Sequence, residues 1–209
     1  RDELVDDAKA ALRKLKLDKD PKLLLEGIEQ YPEFGQTLSV EKEALHDRLH
    51  ALVGGAVAEI HECLKSSNIA EIGAVAEKYQ GWPQGVSEPL QALMAKQETA
   101  IVSADKTIRA ALSSDDIAHI NELLGEYLDS EKFVPDAYGA LVSRQQDLED
   151  DMREKLKDAT APESQDPRAI EAVLLEAQQF GSGVQEDREA LETWLATVLD
   201  KFVAEMEDL

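Results

Sequence analysis

The histidines of this chain fall at spacings that metal chemistry uses. Glu43 and His46 stand three residues apart, Asp47 and His50 repeat the step, and Asp116 with His119 makes a third pair. On a helix such a pair shares one face. A di-iron bundle takes one Glu-x-x-His from each of two helices and a Glu from each of two others, all pointing inward. Here Leu45, Leu49 and Leu52 read as the buried stripe, which turns His46 and His50 toward the flank or the solvent. Glu43, His46 and His50 are therefore only a weak alternative metal site, and no resident metal or other cofactor is expected.

The remaining chemical candidates resolve in the same direction. Asp18, Asp20 and Glu29 match the first, third and last positions of a calcium loop. Leu23, however, stands where the sharp turn requires Gly, and Lys22 takes another ligand position, so the stretch reads as a helix start. Cys63 is the one cysteine, which excludes an internal disulfide framework and a multi-Cys zinc site. It shares a sequence column with Leu15, Ala111 and Ala159 and reads as a small core residue, not a nucleophile. There is no Gly-x-Ser-x-Gly, no phosphate-binding Gly-Lys-Ser/Thr and no His-Glu-x-x-His. With no convergent catalytic set, the chain is not expected to be an enzyme.

The elements that would position these residues recur along the chain. Tyr31, Tyr79 and Tyr127 lie 48 residues apart, as do Leu45, Leu93 and Leu141, and also Leu24, Ile72 and Ile120. Leu12, Ile60, Ile108 and Leu156 form a four-membered column, and Ala8, Ala56, Ala104 and Met152 another. After about residue 160 the register slips by two, within the loop-like stretch 159–167, and Ile170, Leu174, Val184, Leu191 and Val198 continue the columns. Shared spacing of this kind marks a repeat, with units near 1–38, 39–86, 87–134, 135–183 and 184–209.

Within a unit the apolar residues recur at steps of three and four, which predicts a long helix followed by a short one. Long helices are expected near 40–66, 87–112, 135–157 and 187–208, with a truncated one at 2–17. Short ones are expected near 20–31, 68–80, 115–128 and 166–180. Ser87-Glu88-Pro89 reads as a helix start, and Asp20, Asn68, Ser114 or Asp115, and Asp166 as caps. Gly54-Gly55 interrupts the second long helix, where it would bend the helix or admit a close neighbour. The expected fold is all-α, about nine helices in an α-solenoid-like array of alternating long and short antiparallel helices. A closed irregular helical bundle is the alternative.

Composition and charge bound the function. The 209 residues carry 44 acids and 22 bases, net −22, which argues against nucleic acid and anionic membranes as partners. Residues 144–209 carry 18 acids and 7 bases, half of the net charge, with a run at Asp147, Glu149, Asp150 and Asp151. Those four acids, and Trp82 in its Gly-Trp-Pro loop as an exposed anchor, are the candidate partner-binding residues. Both ends of the chain read as cuts through a longer protein, whose flanking repeats would be further partners. The function expected is a non-catalytic scaffold or protein-interaction module of a larger intracellular, cytoplasmic protein, binding a basic partner through an acidic surface. A structural spacer in a cytoskeletal or other large assembly and a metal- or small-ligand-binding bundle are the alternatives.

Overall fold

The computed structural model describes residues 2–160 and 166–207. Among the described residues there are nine α-helices and no strand: α1 Asp2–Leu15, α2 Pro21–Glu29, α3 Ser39–Cys63, α4 Ile69–Tyr79, α5 Gln84–Ala111, α6 Ile117–Glu126, α7 Pro135–Ala159, α8 Pro167–Ala177 and α9 Gln185–Glu207. No helix among them is long and apolar enough to cross a membrane.

Local chemistry sets the short helices. Asp20, Asn68, Asp116 and Asp166 cap α2, α4, α6 and α8, each side chain accepting from a backbone N–H in the first turn. Two residues upstream, Asp18, Ser66 and Ser114 accept from the N–H of the cap residue itself, at 2.9, 3.1 and 3.1 Å. Ser164, the fourth residue in this position, lies outside the described residues, as does most of the stretch where the register slips. One cap differs from the sequence expectation: Asp116 takes the role, not Ser114 or Asp115, because its side chain reaches both Ala118 N–H and His119 N–H. Asp115 instead ion-pairs with Arg144 at 2.6 Å.

A second difference is the start of α5. The helix opens at Gln84 and runs through Ser87, with Pro89 inside it. Val86 N–H donates to Pro83 O at 2.9 Å, and Val86 is fully buried. Burial of this column residue extends the helix past the Ser-Glu-Pro start signal. α3 runs unbroken through Gly54 and Gly55, and nothing lies within 4 Å of where a side chain would stand at either. Neither a break nor a close neighbour accounts for the pair. The short helices lead into turns of positive φ at Tyr31, Gly81 and Gly181; at the last two, glycine removes the steric cost.

Packing divides the chain into two compact units, 1–101 and 102–209, with the boundary inside α5. In unit 1, α2 packs on α3 and α3 on α4. Its first core gathers Ala8, Leu12, Leu24, Leu38 and Leu45, and its second Ala56, Ile60, Ile72, Val86 and Leu93. In unit 2, α7 packs against α6, α8 and α9. Burial follows the sequence columns: Leu12, Ile60, Ile108 and Leu156 are all at most 1% exposed, and Leu45, Leu93, Leu141 and Leu191 are all fully buried.

Candidate functional site

The acidic run lies on α7, whose apolar stripe of Leu141, Leu148, Met152 and Leu156 faces the core of unit 2. Helical geometry then distributes the acids unequally. Asp147, Asp150 and Asp151 are exposed, whereas Glu149 is only 16% exposed. Arg153 holds Glu149 at 3.3 Å, pairs with Asp150, and donates to Gly183 O at 2.6 Å. Glu149 and Asp150 therefore belong to a clasp between α7 and the turn before α9. Asp147 and Asp151 make no ion pair or hydrogen bond among the described residues and keep their charge for the surface.

Asp151 is one wall of a groove of about 560 Å³ in unit 2. Its floor is apolar, formed by Leu148, Met152 and Phe180. Its walls carry Asp115, Glu154, Asp158 and Glu176 besides Asp151. Glu176 pairs with Lys155 at 2.7 Å and Asp115 with Arg144, leaving Asp151, Glu154 and Asp158 without an ion partner among the described residues. Sequence reading passes over Glu154 and Asp158. The signal that finds them is their spacing of three and four from Asp151, which places all three on one face of α7.

The other candidates are placed elsewhere. Trp82 is half-buried, stands edge-on to Tyr79 with ring centroids 4.8 Å apart, and packs on the second core of unit 1. Tyr31 and Phe34 pair at the same offset one unit earlier, with centroids 6.4 Å apart. Tyr79 OH donates to Glu59 Oε2 at 2.6 Å, and Lys78 Nζ donates to both Glu59 oxygens. Those hydrogen bonds, that from Lys78 first, hold the Glu59 carboxyl below its usual range, and burial pushes the Tyr79 phenol up. Cys63 is buried, and burial pushes its thiol up, which keeps it protonated and a poor nucleophile.

Glu43, His46 and His50 lie on α3, away from the buried columns of unit 1. Among the described residues no group of three His, Cys, Asp or Glu side chains is gathered closely enough to hold a metal ion. His46 and His50 instead line an apolar groove of unit 1. Asp18 and Asp20 spend their carboxylates on backbone N–H groups at the start of α2.

No protein-family model, curated protein or solved structure matches the chain. Its function is therefore argued from these surfaces alone.

Proposed function

We propose that the chain is a non-catalytic protein-binding module of a larger cytoplasmic protein, built of helical repeats of about 48 residues stacked as a solenoid-like array. A basic protein or peptide docks on the acidic surface of unit 2. The observation that carries this reading is the groove along α7, where three carboxylates without ion partners among the described residues stand over Leu148, Met152 and Phe180. An apolar floor takes up the stems or anchors of a partner, and the carboxylates speed its approach and fix its register. Residues 102–209 carry 26 acids and 10 bases, so the surrounding field has the same sign.

Affinity capture with the whole chain as bait, at low and moderate salt, tests the reading. One stoichiometric basic partner, released by salt and lost on D151N/E154Q/D158N, is the expected result. Capture unchanged by the triple substitution contradicts the charge argument. Recovery of no specific partner favours the spacer reading, in which the carboxylates serve only to keep the surface solvated.

A further inference from the structure

Unit 1 carries a groove that the acidic surface of unit 2 does not explain. It has a volume of about 620 Å³, with walls from Leu25 on α2, Leu49 and Val53 on α3, and Pro83 in the turn before α5. Gly85 lets that turn approach closely: a side chain there would meet Val53 Cγ1 at 2.8 Å. Leu25, Leu49 and Val53 are all half-buried, so water faces apolar carbon at three neighbouring positions.

Two 48-residue periods further on, unit 2 has Asn121, Gln145 and Glu149 at these same positions. There Gln145 Nε2 donates to Asn121 Oδ1 at 2.8 Å, and Glu149 is clasped by Arg153. The polar version satisfies itself across the gap between helices. The apolar version leaves its walls without a partner, and that contrast marks the unit 1 position as the one with something to bind.

The shape and charge name the occupant. From His46 to Val53, α3 contributes a stripe at i, i+3, i+4 and i+7, about 10 Å of helix axis. A trough of that length accepts the apolar face of another helix over two turns. Asp47 lies on the rim, Glu43 one turn before it, and Glu29 one turn after Leu25. None of the three makes an ion pair or hydrogen bond among the described residues. The nearby bases are turned back on the chain: Lys42 Nζ donates to Tyr31 O at 3.5 Å, and Arg48 Nε is buried. We infer that this groove docks a basic amphipathic helix of a partner protein, its apolar residues between Leu25 and Leu49 and its cations against Glu29, Glu43 and Asp47. The inference shares with the proposed function only the sign of the partner's charge.

Fluorescence anisotropy on the whole chain provides the test. The probe is a labelled Leu/Lys peptide patterned to form one apolar helix face, and the control is a scrambled peptide of the same composition. The patterned peptide is expected to bind about tenfold more tightly than the scrambled one. L25N/L49Q, which installs the polar pair of unit 2, should abolish that advantage. D47K, on an exposed position that leaves the core alone, should reduce it about threefold or more while circular dichroism stays unchanged. D151N/E154Q in unit 2 should leave it intact. Equal binding of the two peptides, or an advantage that survives both L25N/L49Q and D47K, overturns the inference. An advantage lost only in D151N/E154Q overturns it too, yet leaves the acidic-surface reading standing. Sedimentation of the chain alone checks the remaining occupant: a dimer dissolved by L25N/L49Q would put a second copy in the groove and also overturn the proposal.

Discussion

Arg144 and Lys96 stand 48 residues apart and do the same work. Arg144 Nε donates to Ser114 O at 3.3 Å, just past the end of α5, and Lys96 Nζ donates to Leu64 O at the end of α3. Each base closes the carbonyl end of the long helix before it, where the last carbonyls lack helical partners. The register of these bases is present in the sequence, but an isolated base on a helix also reads as a solvated side chain. Only geometry distinguishes the two. The acidic run shows the same limit, since Asp151 stays free while Glu149 and Asp150 are spent on Arg153. Adjacent residues point about 100° apart on a helix, so a run of acids says little until the buried stripe is known. Gly54 and Gly55 are the residue-scale surprise, because neither serves a turn or a close approach. Both are exposed in the interior of α3. Gly54→Ala and Gly55→Ala should each stabilise the fold by about 0.5–1 kcal/mol, read as a higher urea midpoint at unchanged slope.

At the scale of elements, nearly all of the helices are legible in the sequence, because their signals are redundant. Apolar steps of three and four, a polar cap and a following Gly or Pro all agree for each short helix. The failures come where two signals compete. At 114–116 three polar residues could each cap a helix; the sequence does not show which one reaches two N–H groups, and Asp116 does. Asp116→Ala should therefore cost about 1 kcal/mol of stability in thermal unfolding. Asp115→Ala, which removes a surface ion pair at a side chain that is 89% exposed, should cost a few tenths at most. Equal losses would return the cap to Asp115. At 84–89 the burial of Val86 outweighs a good start signal at Ser87, a packing effect that a single window of sequence does not contain.

For the whole molecule, the charge of −22 and the spacing of 48 can both be read from the residues in chain order. The two grooves cannot, since each joins residues from elements far apart in the chain: Leu25 with Pro83, and Asp115 with Phe180. The proposed binding role depends on the repeat, because equivalent positions carry different side chains on a common scaffold. In such an array each unit contacts only its neighbours, and a whole unit can be removed without disturbing the pattern of the rest. Deleting Ile69–Asp116 joins Asn68, a cap, to Ile117, the first residue of a short helix, and keeps every column in register. The most direct measurement is chemical unfolding of this deletion, followed by circular dichroism, beside one shortened by eight fewer residues. The repeat account predicts that the in-register deletion stays helical and unfolds cooperatively, while the out-of-register one loses its cooperative transition. Failure of both alike, or survival of both alike, would contradict it.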